Sequence, residues 1–534
     1  MDAPSATEHL ESPSGAARSS YVVGAGILLS RLAGLIRDRV FAHYFGNSDA
    51  ADAFRAAFRI PNFLQNLFGE GVLSASFIPA YAGLLARRNT KEAGEVAGAI
   101  AAILGLVVSM LVVVGLCATP YMIAAIAPGF EGEKRELCIR LVRIFFPGAG
   151  LLVFSAWCLG ILNSHRHFLL SYTAPVVWNA AIIAALLSFG SKQPQFSLAT
   201  LAAWGSVLGS LLQLGIQIPV VLRLVGRLRL APDIRLPEVR IVIRNFVPAF
   251  ISRGVIQISA YVDSLISSLL GTGAVAGLSY AQTLYTLPVS LFGMSVSAAE
   301  LPAMSSALGN QEEVARHLRA CLNSGLRRIA LFIVPSAMAF LTLGDVVAAA
   351  IYQSGRFSRA DAVYVWAILA GSAVGLLAST LGRLYTSTYY ALRDTRTPLR
   401  FAILRVVLTA LFGYVTAVFF PPLLGIASRW GVAGLTASAG LAGWLELLLL
   451  RRCLNQRIGT SGLPVSFTLR LWTAAATGAG VAWIIKGAVG LLHPLSQAVL
   501  VLGPYGLVYC AAVLAFGVPE ARNAWERVRG RRRV

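Results

Sequence analysis

Charged residues are scarce in this sequence. They make up 13% of its 534 residues, whereas soluble domains average about 25%. A soluble chain of this length would need a large charged surface to stay in water, so the composition excludes a soluble multidomain protein. Hydrophobic residues make up 57% of the chain, and this excess also excludes an intrinsically disordered protein.

Motifs of catalysis and of metal binding are missing as well. The six cysteines are scattered and form no CxxC pair, and no Cys/His cluster has the spacing of a metal site. No GxxxxGKS/T, HExxH or GxSxG sequence occurs. We therefore expect no enzyme activity, no cofactor and no resident metal.

Long apolar runs dominate what is present. The net charge is +21, but the basic residues lie in short bands between these runs and form no single basic surface for a nucleic acid. Runs of about 17–25 apolar residues can cross a bilayer as helices. The sequence therefore predicts an all-α polytopic membrane protein surrounded by membrane lipids. Fourteen spans emerge, at residues 21–46, 52–86, 93–118, 137–163, 169–190, 197–222, 245–270, 277–307, 328–343, 362–391, 399–420, 430–450, 471–489 and 498–518.

Basic residues are distributed unevenly between the spans. With a cytoplasmic N-terminus, the cytoplasmic loops hold 27 Lys and Arg residues and the opposite loops hold 7. Loops rich in Lys and Arg stay on the cytoplasmic side. We therefore expect an even number of spans, with both termini in the cytoplasm.

A weak internal repeat relates two parts of the chain. Asp38 and Gly46 are spaced like Asp263 and Gly271, and a Leu-Phe-Gly and a Pro-Ala follow each pair. The offset corresponds to six spans, so both copies have the same orientation, as in parallel-repeat transporters. The prediction is two six-helix lobes plus two C-terminal helices, with the substrate between the lobes. The predicted segments are a disordered tail at 1–20, an N-lobe at 21–226, a C-lobe at 240–452, spans 13 and 14 at 465–518, and a basic cytoplasmic tail at 519–534.

Polar residues form a stripe along span 2. Ionisable residues inside spans are costly and usually face water, so they mark functional sites. Six polar residues of span 2 fall within about 80° of a helix circumference. They are Asp52, Arg55, Arg59, Asn62, Asn66 and Glu70. A helix lying on the membrane surface is the alternative, but a narrow stripe of mixed charge between two long spans favours a wet cavity.

Other spans add further polar residues to the candidate set. They are Arg31, Arg37 and Asp38 in span 1, Arg253, Gln257 and Asp263 in span 7, Gln282 and Thr283 in span 8, Arg383 in span 10 and Arg405 in span 11. Arginines outnumber carboxylates in this set, and the guanidinium fork fits phosphate and carboxylate oxygens. We therefore expect a water-filled, cationic cavity whose side chains bind or gate an anionic substrate.

The chain also carries the motifs of a known family. They are Ser30-Arg31-Leu-Ala-Gly-Leu-Ile-Arg37-Asp38, Ala51-Asp52-Ala-Phe54, Arg59-Ile-Pro61-Asn62 and Gly69-Glu70-Gly71, with Tyr390-Ala-Leu-Arg-Asp394-Thr395-Arg-Thr397-Pro398 further on. With these motifs the chain resembles the MurJ (MviN) family, which are lipid II flippases of the MOP exporter superfamily. The resemblance covers about residues 20–520.

The resemblance implies transport of lipid II, an undecaprenyl-pyrophosphate-linked peptidoglycan precursor. The transport runs from the inner to the outer leaflet of the bacterial cytoplasmic membrane by alternating access. Arg31, Arg37 and Asp52 would bind the pyrophosphate or gate the cavity, and the last two spans, at 465–518, would form a groove for the lipid tail. Cell-wall synthesis proteins are candidate partners, and we expect no nucleic-acid partner.

The sequence departs from the family pattern at cationic positions. Many members carry arginine where this chain has Gln65 and Asn66. Many also carry an Asp-Arg pair where this chain has Gln282 and Thr283. Arg55, Arg59 and Arg253 are candidates to replace the missing charge.

A second departure concerns sodium. Some members bind sodium through a span 7 aspartate, which Asp263 matches, together with Asn or Asp in span 11. Span 11 of this chain has neither and carries Arg405 instead. We therefore expect no sodium site of that kind, and Arg405 is a candidate ion-pair partner of Asp263.

Three alternatives remain open beside a lipid II flippase. One is a flippase for another undecaprenyl-linked glycan, because the missing arginines would suit a changed headgroup. Another is a non-transporting scaffold that recruits cell-wall synthesis proteins, although a scaffold has no need for charges at membrane depth. The third is a membrane enzyme acting on a lipid-linked sugar, which would give a chemically altered product.

Overall fold

The protein is all-helical in its computed structural model, which describes residues 13–530 except 69, 227, 298–299, 301–303, 305–309 and 491. No β-strand occurs among these residues. The first eight helices are α1 (Pro13–Phe45), α2 (Asp49–Phe68), α3 (Glu70–Ala86), α4 (Thr90–Ile126), α5 (Gly132–Ser164), α6 (Phe168–Phe189), α7 (Gln195–Val225) and α8 (Pro237–Ser268).

Among the described residues, ten further α-helices with defined bounds follow, together with two π-helical turns. They are α9 (Ala274–Pro288), a π-helix (Val289–Met294), α10 (Gln311–Tyr352), α11 (Arg359–Val374), α12 (Leu376–Ala391), α13 (Arg396–Tyr414), a second π-helix (Val415–Phe419), α14 (Phe420–Leu423), α15 (Gly431–Ile458), α16 (Val465–Ala488), α17 (Pro494–Ala515) and α18 (Pro519–Gly530).

The predicted spans fall on helices of this series, except that the end of the span at 277–307 lies largely outside the described residues. The all-α polytopic class is confirmed. By length and apolar composition alone, eight of the described helices can cross a membrane, or nine if α11 and α12, which meet at 43°, form one bent span. The charged helices α1, α2 and α8 do not pass this test, as expected from the ionisable residues inside them. The count of fourteen spans stays a prediction.

The chain divides into two compact units. Unit 1 contains residues up to 44, 53–125 and 131–260, and unit 2 contains residues 45–52, 126–130 and 261 onward. The short segments after α1 and after α4 therefore belong to unit 2, although both lie inside the predicted N-lobe. The lobe boundaries at 226 and 240 stay a prediction.

The two ends of the chain are more helical than the sequence suggested. The disordered tail expected at 1–20 is wrong for residues 13–20, which form the first turns of α1; residues 1–12 lie outside the described part. Proline is favoured at the first position of a helix, because its missing N–H has no partner there anyway. The predicted basic tail at 519–534 contains α18, and residues 531–534 are outside the description.

Unit 1 contains a neutral polar network inside its apolar core. The Ser155 hydroxyl of α5 donates to the Gln217 side-chain carbonyl of α7 and accepts from the Gln213 amide, with both heavy-atom distances 2.7 Å. All three side chains are buried. Hydrogen bonds of this kind between apolar helices fix their register, because any slip would leave polar groups without partners.

In unit 2, polar contacts tie α16 and α17 to α10. Lys486 Nζ lies 2.8 and 2.7 Å from the two carboxylate oxygens of Asp345. The Tyr505 and Tyr509 hydroxyls donate to the carbonyls of Pro335 and Leu331, both at 2.6 Å. These contacts hold the two last apolar helices in one orientation against α10.

Removal of one partner of the Lys486–Asp345 pair should destabilise unit 2. Both side chains are at most 18% exposed, and a buried charge left without its partner costs about 3–5 kcal/mol. We expect Lys486→Ala and Asp345→Ala each to lower the thermal unfolding midpoint of the purified protein clearly. The double variant should lower the midpoint by less than the sum of the two single losses. Lys192→Ala, which changes an exposed loop lysine, should leave the midpoint almost unchanged. Additive losses would show that the two charges do not interact.

The turn between α12 and α13 is fixed by Asp394. Its carboxylate accepts from the Arg396 and Thr397 backbone N–H groups at 3.0 Å and from the Thr397 hydroxyl at 2.7 Å. Arg457 of α15 lies 2.8 Å away. These hydrogen bonds, first those from Thr397, lower the pKa of Asp394 to about 2. The carboxylate therefore stays ionised at any physiological pH and caps the start of α13.

Candidate functional site

Three charged residues of α1 and α2 form the centre of the candidate site in unit 1. Asp38 Oδ1 lies 3.0 Å from Arg37 Nη2 and 3.1 Å from Arg55 Nη2. Asp38 is only 3% exposed. We call these residues the Asp38 cluster; it carries two guanidinium groups, one carboxylate and a net charge of +1. A surplus cation at membrane depth is a suitable partner for an anion.

Aromatic rings hold both arginines of the Asp38 cluster. The Arg37 guanidinium lies 5.2 Å from the centre of the Trp178 ring, and that of Arg55 lies 4.5 Å from the Phe41 ring. The negative faces of these rings attract the cations. The long Arg37 side chain also reaches back to the carboxylate of its sequence neighbour Asp38.

The rest of the predicted polar stripe lies along α2. Arg59 and Asn62 are half-buried and Asn66 is exposed. Arg31 on α1 is exposed as well. The Glu70 side chain lies outside the described residues. The stripe therefore divides into a buried part, which is engaged in ion pairs and hydrogen bonds, and a more accessible part toward the end of α2.

Asp52 does not belong to the Asp38 cluster but caps a helix in unit 2. Its Oδ2 accepts the Gly273 N–H and its Oδ1 accepts the Ala276 N–H, each at 2.7 Å. The residue is completely buried. These N–H groups are at the start of α9, where the helix dipole also favours a carboxylate. The structure therefore makes Asp52 a helix cap.

The segment around Asp52 has further contacts within unit 2. The Thr272 hydroxyl donates to Asp49 at 2.9 Å, and the Tyr280 hydroxyl donates to the Gly46 carbonyl at 3.0 Å. Gly46 has φ +57°, and a Cβ there would meet the Arg356 carbonyl oxygen at 2.7 Å. Only glycine satisfies both conditions. We call residues 45–52 with these contacts the 45–52 latch.

The other predicted residues are placed as follows. Asp263 of α8 and both Gln282 and Thr283 of α9 are half-buried in unit 2, and the Thr283 hydroxyl donates to the Ser279 carbonyl. The backbones of Arg253 and Gln257 lie in α8, but their side chains are outside the description. No group of three or more His, Cys, Asp and Glu side chains able to hold a metal was found among the described residues.

Arg405 has a different partner from the one expected. Its Nη1 lies 3.0 Å from Glu446 Oε2 of α15, so the expectation of an Asp263–Arg405 pair was wrong. Glu446 lies in an apolar run, Trp-Leu-Glu-Leu-Leu-Leu-Leu, and hydropathy gave no indication of which helix it faces. A lone carboxylate inside such a run is itself the signal that a cation lies nearby.

Unit 2 also contains an apolar groove. Its volume is about 330 Å³, and its lining comes from α9 and the following π-helix, from α10 and from α17. The lining residues from α17 are Leu502 and Tyr505, and those from the π-helix are Leu291 and Phe292. An apolar groove of this size suits a hydrocarbon chain better than a polar ligand.

The family described as Lipid II flippase MurJ matches residues 41–502. The lipid II flippase MurJ of Burkholderia cenocepacia is 32% identical over 448 residues, which is 82% of this chain and 84% of the relative. A probable lipid II flippase MurJ of Vibrio cholerae is 29% identical over 524 residues, or 94% of this chain and 96% of the relative.

Solved structures share the fold. A lipid II flippase MurJ in an inward closed conformation superposes with a TM-score of 0.76 at 22% identity and covers 94% of this chain and 99% of its own. An inward-facing MATE-family multidrug transporter of the MOP superfamily has a TM-score of 0.63 at 18% identity, covering 81% and 96%. The resemblance seen in the sequence is thus confirmed, and the protein is a multi-pass membrane protein. The chain belongs to the lipid II flippase MurJ family.

Proposed function

We propose that this protein flips lipid II from the inner to the outer leaflet of the bacterial cytoplasmic membrane. Membership of the MurJ family supports the transported substrate. The observation that carries the proposal is the Asp38 cluster, in which two arginines of α1 and α2 surround one buried carboxylate. The surplus positive charge suits a pyrophosphate, whose oxygens accept two parallel hydrogen bonds from a guanidinium.

Arg37 is the residue we assign to direct contact with the pyrophosphate. It is 20% exposed, whereas Arg55 is 10% exposed and lies deeper in the cluster. Arg31 and Arg59 are accessible enough to add charge on the same two helices. Arg55 and Asp38 then orient Arg37, since one carboxylate oxygen holds both guanidinium groups.

The apolar groove of unit 2 is the proposed place for part of the undecaprenyl tail. The prediction put the tail against the last two spans, and α17 supplies two of the lining residues. Burial of each CH₂ group is worth about 0.8 kcal/mol. Because lipid tails in the bilayer are equally apolar, the groove contributes alignment of the tail more than net affinity.

The 45–52 latch is the proposed gate. Alternating access requires contacts that form in one state and break in another. Asp52, Asp49 and Gly46 are candidates for such contacts, because their hydrogen bonds to Gly273, Thr272 and Tyr280 all come from one short segment that connects α1 to α2. The loop-charge bias supports cytoplasmic termini, which places this segment on the outer side of the membrane.

Complementation tests the proposal. A bacterium depleted of its own lipid II flippase should grow when it expresses this chain. Arg37→Ala should fail to support growth while its amount in the membrane stays normal, and Arg87→Ala, at an exposed arginine after α3, should behave like wild type. Growth supported equally by Arg37→Ala would exclude the Asp38 cluster as the substrate site, and failure of the inserted wild-type chain would favour another lipid-linked glycan or a scaffold.

A further inference from the structure

A second polar cluster lies within unit 2, centred on Arg383 of α12. The Tyr285 hydroxyl of α9 lies 2.6 Å from that of Ser379 on α12, and Arg405 pairs with Glu446 at 3.0 Å. Tyr285, Arg405 and Glu446 are close enough to Arg383 to interact with its charge. We call these five residues the Arg383 cluster.

The Arg383 cluster lies at membrane depth. Arg383 is eight residues before the end of α12 and Arg405 is nine residues after the start of α13, which puts them about 12 and 14 Å from the helix ends at 1.5 Å per residue. The apolar core of a bilayer is about 30 Å thick. Ionisable groups at this depth face water or protein, since contact with lipid is too costly.

The face of α12 that carries Arg383 is mostly polar, although the buried Leu376 in the first turn lies in the same arc. Its polar residues are Ser379, Arg383, Thr386, Ser387 and Tyr390, which fall within about 100° of the helix circumference. All of them are exposed or half-buried, whereas Leu381, Leu384 and Tyr385 on the other side are buried. This side of unit 2 therefore faces water, and Arg383 is open to a ligand that reaches it.

The charges of the cluster define the ligand. Glu446 neutralises Arg405, whereas Arg383 forms no ion pair with any residue in the described part of the chain. One cation is left over, with the hydroxyls of Tyr285 and Ser379 beside it as neutral donors. A single negative charge matches this arrangement. At the Asp38 cluster, Arg31 and Arg59 on the same two helices can add charge for a pyrophosphate. The Arg383 cluster offers a single surplus guanidinium, so a singly charged carboxylate fits it better.

We propose that the Arg383 cluster binds a carboxylate of the peptide that lipid II carries. The inference rests on the proposed function and deepens it, because it gives the peptide of the headgroup its own site in unit 2. Arg383 supplies the charged fork, and the Tyr285 hydroxyl exchanges its hydrogen bond to Ser379 for one to the same carboxylate. Recognition of lipid II is then shared between the pyrophosphate and the peptide.

Binding measurements on the full chain in lipid nanodiscs test this assignment. Three ligands are compared, namely lipid II, lipid II with its peptide carboxyl groups amidated, and undecaprenyl-pyrophosphoryl disaccharide without the peptide. We expect Arg383→Gln to raise the Kd for lipid II about 10- to 100-fold, the range for loss of a hydrogen bond to a charged group. The Kd for the other two ligands should stay within about twofold of the wild-type values.

Two matched variants sharpen the test. Arg383→Lys keeps the charge but loses the guanidinium fork, so it should weaken lipid II binding less than Arg383→Gln does. Arg400→Gln removes an exposed arginine of α13 outside the cluster and should leave all three Kd values unchanged. Tyr285→Phe should weaken lipid II binding only, and by less than Arg383→Gln.

The outcomes separate this inference from the proposed function. Equal weakening of all three ligands by Arg383→Gln would assign Arg383 to the pyrophosphate and overturn the carboxylate site. If Arg383→Gln weakened the binding of none of the ligands, the carboxylate site would also be overturned. The proposed function would still stand as long as the wild-type chain bound lipid II. If the wild-type chain bound none of the three ligands, both proposals would be wrong.

Discussion

Replacement of Asp52 by alanine should lower the free energy of unfolding by about 3–5 kcal/mol. The change removes two charge-assisted hydrogen bonds and leaves the Gly273 and Ala276 N–H groups buried without an acceptor. It also removes the carboxylate that complements the dipole at the start of α9. Thermal unfolding of the purified protein in detergent measures the loss, and growth complementation should fail as well.

Two variants control the Asp52 prediction. Asp52→Asn keeps one acceptor oxygen and should lose about half as much stability. Asp49→Ala changes a neighbouring carboxylate of the same segment whose hydrogen bond to Thr272 is exposed, so its effect should stay below about 1 kcal/mol. If the midpoint of Asp52→Ala matched that of Asp49→Ala, the capping role of Asp52 would be wrong.

Replacement of Asp38 by alanine should be more damaging than loss of either arginine beside it. Without this carboxylate, the Arg37 and Arg55 guanidinium groups lie close together with no charge between them. Removal of one partner from a buried ion pair costs about 3–5 kcal/mol. We expect a reduced amount of Asp38→Ala in the membrane and a lower unfolding midpoint for what remains.

Arg37→Ala separates stability from transport in the same cluster. The Asp38–Arg55 pair at 3.1 Å is left in place, so folding and the amount of protein in the membrane should stay normal. Transport should fall more than about 10-fold, because the net charge of the cluster drops to zero. Transport and membrane amount are measured on the same cells. A fall in amount that accounts for the lost transport would make Arg37 a structural residue only.

The helices of this protein were predictable because long apolar runs can be recognised directly in the sequence. Runs such as those of α4 and α10 have the length and composition of a span. The extent of α10, from Gln311 to Tyr352, was less accessible, since its polar beginning lies in a predicted loop. The helical start of α1 at Pro13 was missed for a similar reason, because its first residues are small or polar.

The candidate site was predictable in its residues but not in its pairs. Arg37, Asp38 and Arg55 stood out as charges inside apolar runs. One carboxylate can hold both arginines only because α1 and α2 pack closely enough. The distance between two helices cannot be read from the sequence. Asp52 shows the same limit, because a stripe on one helix placed it with Arg55 although its hydrogen bonds go to α9.

Pairs between distant parts of the chain were hardest to foresee. Asp345 and Lys486 are 141 residues apart, and Arg405 and Glu446 are 41 apart. In the sequence, each partner is an isolated charged residue in or near a predicted span. Hydrophobic periodicity does not indicate which helices are neighbours. The network of Ser155, Gln213 and Gln217 was missed because uncharged polar residues barely change the hydropathy of a span.

The most direct measurement is the amount of lipid II on the outer leaflet of a bacterium depleted of its own lipid II flippase and supplied with this chain. We expect the wild-type chain and Arg87→Ala to restore exposure of lipid II, and Arg37→Ala, present in the membrane at the same level, to fail. Absence of exposed lipid II with a fully inserted wild-type chain would contradict the proposed function.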